Sequence, residues 1–334
     1  MGNHEHIELT AAEISTLWTA YLSDTMGICG IKHFLTNVED EQIRSILEDT
    51  KKFMEDNTTA LKDFFNKENY PIPQGFTEKD VDLTAPRLFS DRLYLEFVFN
   101  LTIMSLAVYS VSLSVAERGD VMDYYADNLR KVIELHLQAK ELSKAKGTFI
   151  RTPQIPKPNQ IDFVKNKSFL AGWFSDRRPL LGVEITNLVF NAKRNAIGHA
   201  IITGFSQVAK SKEIRSYFEK GRDISLKHME IFSSILHEDN MHDGALLLTS
   251  EVTDSTVSPF SDKLMTFLIT TLIATGMGQY GTSMSVSPRH DLGVHYARLV
   301  AEIAKYSNEG AKILIDHGWM EQPPMAADRK DLAK

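Results

Sequence analysis

His199, Asp223 and His295 are the residues of this chain whose types suit metal chemistry, because two imidazoles and a carboxylate form a ligand set for zinc or iron. If the helices that carry them alternate in direction, residues equally far from a turn lie level, since a helix rises about 1.5 Å per residue. That arrangement brings His199, Asp223, Tyr280 and His295 within a few turns of one another. The equivalent positions in the first half of the chain are Ile28, Lys52, Tyr109 and Tyr124, so such a site belongs to one half only. A plainer reading stands beside each residue. His199 lies on the apolar stripe Ile185, Leu188, Ala192, Ala196 and Ile202, where an imidazole is more often a hydrogen-bonded core group. Asp223 sits on a charged stretch and reads as solvated, and the recurring Tyr109 and Tyr280 read as buried rings with satisfied hydroxyls. The start of the chain, His4-Glu5-His6, can take a metal adventitiously but reads as a disordered tail.

Other chemistries find less support. A di-iron carboxylate centre needs Glu-x-x-His pairs that put both ligands on one inward face, and no such pair occurs here. Glu134-Leu135-His136 has the wrong spacing, and His136 falls on the stripe Met122, Tyr125, Leu129 and Val132. Glu184, His237, Asp262 and His317 are level at one end of the second half. Their carboxylates repeat as Glu13 and Asp91, whereas Asn66 and Lys146 replace the histidines, so the carboxylates read as caps. There is no phosphate-binding glycine loop and no Gly-x-Ser-x-Gly elbow, and Gly276, Gly278 and Gly281 stand inside an apolar helical run. The single cysteine, Cys29, has no adjacent cation and reads as a small packed hydrophobe, as expected in a reducing compartment. The reading is therefore of a protein without catalytic residues and with no cofactor expected. Zinc or iron at the second-half site is the alternative, motivated by the histidines, most of which fall after residue 190.

The elements that position these residues come from a repeat. Displaced by about 171 positions, the chain matches itself without a gap. Glu13-Ile14-Ser15 falls on Glu184-Ile185-Thr186, Ile43-Arg44-Ser45 on Ile214-Arg215-Ser216, Phe89-Ser90-Asp91 on Phe260-Ser261-Asp262, and Arg118 with Asp120 on Arg289 with Asp291. An offset constant through loops as well as helices means two tandem copies of one fold. Each copy reads as four helices, at 11–37, 40–68, 89–116 and 120–146, then 181–209, 212–238, 260–286 and 290–316. The fold class is all-α: two tandem four-helix, up-down bundles. The boundaries read as a first bundle over 1–150, a Pro/aromatic linker packed on a bundle over 151–180, a second bundle over 181–320, and a tail over 321–334. Thr10 and Glu13 form a capping box, Asp120 and Asp291 read as caps of the fourth helices, and Gly147 and Gly318 read as their C-terminal stops.

Residues 264–286 contain no charge, long enough to be tested as a membrane span. Thr266, Thr270, Thr271, Gly276, Gly278, Gln279 and Gly281 argue instead for a helix apolar all round because it is buried all round. The third helices are therefore expected to pack on each other about an internal pseudo-twofold axis, or to face another subunit. With 334 residues, 43% of them hydrophobic, the chain can bury two cores, and a net charge of −7 provides no basic field for nucleic acid. Protein partners or self-association, no nucleic acid, no membrane span and a cytoplasmic location are the expectations.

The Phe-Ser-Asp-Lys-Leu start at 260–264, the Arg177-Arg178-Pro179-Leu180 entry and the closing Gly-Trp-Met-Glu-Gln-Pro-Pro at 318–324 resemble an uncharacterised tandem-bundle family of spore-forming Gram-positive bacteria. That family is similar to spore coat protein F and to ferritin-like bundles. The resemblance implies a ferritin-like bundle and a spore or stress association, and it transfers no catalytic residues.

Overall fold

The computed structural model describes residues 7–173, 177–244, 248–330 and 332; His4, His6 and Phe174 lie outside them. Among the described residues there are eight α-helices and no strand. They are α1 (Ala11–Asn37), α2 (Glu41–Lys67), α3 (Asp91–Val115), α4 (Gly119–Ala145), α5 (Gly182–Val208), α6 (Lys212–Glu238), α7 (Asp262–Ser285) and α8 (His290–Asp316).

Local chemistry sets these limits. The Thr10 hydroxyl accepts the Glu13 amide while the Glu13 carboxylate accepts the Thr10 amide, closing the capping box that starts α1. Ser90 and Ser261 accept the amides of Leu93 and Leu264 at 3.2 and 3.1 Å and so start α3 and α7. Gly147 and Gly318 end the fourth helices with φ of 68° and 65°. Asn69 and Asn240 take the same left-handed conformation after the second helices, another pair in repeat register.

The chain folds into two compact units that do not follow the copies. Unit 1 comprises residues 1–84, 98–142 and 318–334; unit 2 comprises 85–97 and 143–317. In unit 2, α5 packs along α6 and α7 along α8, with α5 on α7 and α6 on α8 closing the ring. Its core is built from Leu180, Ile185, Leu188, Phe232, Leu236, Leu292 and Leu299. First-copy residues complete this unit. Phe89 bridges to Val252, the Ser90 amide donates to the Glu251 carbonyl at 2.8 Å, and the Phe89 ring sits where Gly204 leaves room against Phe205.

The linker belongs to unit 2 and is anchored at its ends. Lys193 donates to the Ile150 carbonyl, Arg178 stacks 4.3 Å over Phe169, and Gly172 lies against the Asp291 side chain. Its middle does not pack on a bundle as expected of the Pro/aromatic linker: Phe163 is 82% exposed. The C-terminal segment behaves differently from the linker. It joins unit 1, where the Glu321 carboxylate accepts the Gln74 and Gly75 amides at 2.8 and 2.7 Å. The third helices are not wrapped all round either: α3 has a mean hydropathy of 1.7 over a window only 28% buried, and this helix, rather than 264–286, is long and apolar enough to cross a membrane.

Candidate functional site

Two kinds of polar cluster sit inside the bundles, and the repeat separates them. The first joins helix starts. Glu13, 1% exposed, also accepts the Glu117 and Arg118 amides at 2.9 and 2.8 Å, tying the start of α1 to the entry of α4. Glu184 does the same in unit 2 through Leu181 at 2.8 Å and Arg289 at 3.2 Å, and takes both arms of Arg178 at 2.8 Å. Burial opposes ionisation of both carboxyls, and these donors more than offset it, holding each below the usual carboxylate range.

Asp120 and Asp291 stand inside the first turns of α4 and α8 rather than at the cap position the spacing suggested, and accept the Val121 and Leu292 amides there. Each is held bidentate by the arginine two residues earlier, with the same distances of 2.9 and 2.7 Å in both copies. The guanidinium needs a fixed planar acceptor more than the helix needs a cap, and the pair recurs because the turn that positions it recurs. Asp262 accepts the Lys210 and Ser211 amides at the entry to α6, a structural role as expected. His317 reaches Glu213 at 3.1 Å on an exposed edge, and His237 lies 3.8 Å from Asp243.

The second kind lies at mid-bundle. In unit 2 the His228 imidazole is fully buried, with Nδ1 3.1 Å from the Tyr280 hydroxyl and Nε2 3.0 Å from Glu302 Oε2. Asn195 donates to the same Tyr280 hydroxyl at 2.7 Å, and Lys227 holds Glu302 at 2.8 Å. A chain of hydrogen bonds thus runs from the surface carboxylate through imidazole and phenol to an amide. Burial lowers the His228 pKa although Glu302 pulls the other way, so the imidazole is neutral at pH 7. A neighbouring set, Asn187, Asn191, Gln279 and Ser283, links α5 to α7.

In unit 1 the equivalent positions hold Asp24, Asn57 and Tyr109. Asn57 donates to the Tyr109 hydroxyl at 3.2 Å, and Asp24 is 5% exposed. Burial pushes the Asp24 carboxyl up to about 8 against the modest effect of the Asn57 amide.

The metal residues read from the sequence are not gathered. His199 Nδ1 lies 3.0 Å from the Arg222 carbonyl, the hydrogen-bonded core role. Asp223 pairs with Arg222 at the surface at 2.9 Å. His295 is held below the usual imidazole value by burial and by Arg298. Among the described residues no three His, Cys, Asp or Glu side chains are placed to hold a metal ion. Tyr280 is central, but its partner is His228, a residue that the level-matching argument missed. The signal was available: His228 and Asn57 share a repeat position, as do Asn195 and Asp24, beside the recurring tyrosines.

A family model described as a protein of unknown function (DUF3231) matches the chain twice, over residues 1–161 and 168–332. A solved structure titled a "putative spore coat protein" from Bacillus halodurans C-125 is similar at 18% identity, with a TM-score of 0.41, covering 45% of this chain and 98% of that one. No curated protein matches the chain.

Proposed function

The chain belongs to the DUF3231 family, repeated in tandem, and from that premise we propose that it is a non-catalytic helical-bundle protein that works by contact, pairing with a second copy of itself through the α3–α4 face of unit 1. One observation carries the reading. Met104, Val108, Val111 and Val115 recur at helical spacing along α3, and Met122, Leu129, Ile133 and Leu137 do so along α4, with Val111 61% and Leu137 53% exposed. The fold does not require this. The same positions in the second copy hold Thr275, Gln279, Thr282 and Val286, and Gly293, Val300, Ala304 and Asn308.

Charge favours a second copy as the occupant. The first third of α4 carries Asp120, Asp123 and Asp127 and no base; the rest carries Arg130, Lys131, Lys140 and Lys144 with Glu134 and Glu141. Two copies of α4 related by a twofold axis perpendicular to the helix run antiparallel, which sets the acidic start of each against the basic end of the other beside the apolar seam. The setting we propose is an assembly of many copies, such as a spore coat or a stress-related layer.

Sedimentation and light scattering test the pairing. Wild-type protein is expected to be dimeric at micromolar concentration, and a Val111→Lys, Leu137→Lys variant to be monomeric with unchanged helix content. A monomeric wild type overturns the reading. Flotation of that monomer with lipid vesicles would give the apolar length of α3 a membrane role instead.

A further inference from the structure

The two mid-bundle clusters occupy the same repeat positions, and the difference that matters lies where unit 2 has Asn195 and unit 1 has Asp24. In unit 2, Asn195 directs its amide to the Tyr280 hydroxyl at 2.7 Å and the Asn191 carbonyl at 2.8 Å, so that position is filled by the bundle's own donor. In unit 1 the position holds Asp24, and its Oδ2 has no protein partner. The hydroxyls of Tyr124 and Tyr125 on α4 are also buried and make no well-formed hydrogen bond, with Asn128 beside the first and Thr16 and Ser112 beside the second. Asp24 stands at the repeat position from which Asn195 reaches Tyr280, the counterpart of Tyr109, in unit 2, and it acts electrostatically on Tyr109, Tyr124 and Tyr125. Their rings are in mutual contact, Tyr109 and Tyr125 at 6.1 Å and Tyr124 and Tyr125 at 5.0 Å between centroids. Phe53 and Phe64 close the outside at 6.3 and 5.6 Å. Among the described residues no lysine, arginine or histidine offsets Asp24, and the group that favours its ionised form is the Asn57 amide. A carboxyl buried in this way must either keep its proton or meet a cation.

We propose that the core of unit 1 binds a small protonated amine, with the Asp24 carboxylate as counter-charge and Tyr124 and Tyr125 as acceptors beside it. Asp24 Oδ2 and the two phenol oxygens offer three acceptors to the three donors of a primary ammonium group. Phenol rings add the quadrupole attraction that cations find over aromatic faces. One carboxylate among neutral phenols balances a single positive charge, whereas calcium or magnesium needs a fuller oxygen shell than these residues supply. The chemistry is independent of the dimer face, and the two ideas can fail separately.

The proton competes for the same oxygen. The groups facing Asp24 are Asn57 from α2, Tyr109 from α3, and Tyr124 and Tyr125 from α4, and burial raises the three phenols. Asp24 is therefore the group that titrates between pH 6.5 and 8.5, and amine binding strengthens across that window.

Calorimetry on the full chain tests this with methylammonium chloride against sodium, potassium and tetramethylammonium chlorides at equal ionic strength. Methylammonium is expected to raise Tm beyond the other salts, more at pH 8.5 than at pH 6.5. Asp24→Asn, which places at this position the residue found in the second copy, is expected to melt no lower than wild type and to lose the methylammonium response. Tyr125→Phe is expected to weaken binding several-fold in titration calorimetry. An equal response in Asp24→Asn, or no difference between methylammonium and sodium, overturns the proposal. Potassium or tetramethylammonium matching methylammonium overturns the assignment to an N–H donor.

Discussion

Asp291 and Arg289 show how a residue's role follows from its neighbours rather than its type. Both are 2% exposed and bonded to each other, so removing Arg289 leaves the buried Asp291 carboxylate with the more distant Arg177, at 3.7 Å, in its place. Arg289→Ala is expected to cost about 3–5 kcal/mol in urea unfolding, and the double change with Asp291→Ala appreciably less than the sum. His228 gives a pH prediction. Burial keeps its folded pKa below the ordinary 6.5, so the unfolded chain takes up the proton more readily. Its stabilising share is complete above about pH 6.5 and is lost as pH falls below that value. His228→Asn is expected to flatten the decline in unfolding free energy between pH 6.5 and 5, leaving the part due to His136 and His295, which burial also lowers. An unchanged slope would show that His228 exchanges protons equally in both states. At this scale the sequence was a partial guide. It singled out Tyr280 and His199 correctly as buried groups, yet it paired Tyr280 with the wrong imidazole, because which side chains meet across a bundle depends on helix rotation.

Element boundaries were nearly all legible. Capping residues and left-handed glycines act within a few residues of themselves, so the eight helices begin and end within about two residues of the expected limits, the usual scatter of helix ends. How closely helices approach was not legible. Gly221 on α6 and Gly310 on α8 face Tyr306 and Tyr217, whose rings stack at 4.4 Å, and a Cβ at either glycine would overlap the facing hydroxyl. The Tyr306 hydroxyl also donates to the Tyr217 carbonyl at 3.0 Å. Gly221→Ala is expected to destabilise by about 1–3 kcal/mol despite the better helix propensity of alanine, because overpacking outweighs it. Thermal melts should show this, and a stabilised variant would mean that the ring stack yields without cost.

The whole molecule is less divisible than its repeat suggests. Residues 85–97 belong to the first copy in sequence and to unit 2 in space, with Phe89 3% exposed against Phe205. A fragment cut at the copy boundary, residues 168–332, is therefore expected to melt well below the same region in the full chain. Phe89→Ala in the full chain is expected to destabilise unit 2 by about 3–5 kcal/mol, as for a large buried ring. Hydrogen exchange on α5 and on the 249–255 segment would locate the loss. Equal protection in the fragment would show that unit 2 closes without the first-copy strap.

Duplication, helix limits and the all-α class could be read from the chain alone, because they rest on short-range signals and on a register that translation preserves. Three features emerged only when the chain was folded. They are the exchange of segments between copies, the partner of each buried polar group, and the solitary acid in one core where the other has an amide. Each depends on contacts between residues distant in sequence, whose meeting is set by how the helices rotate and pack, and no local pattern encodes that choice.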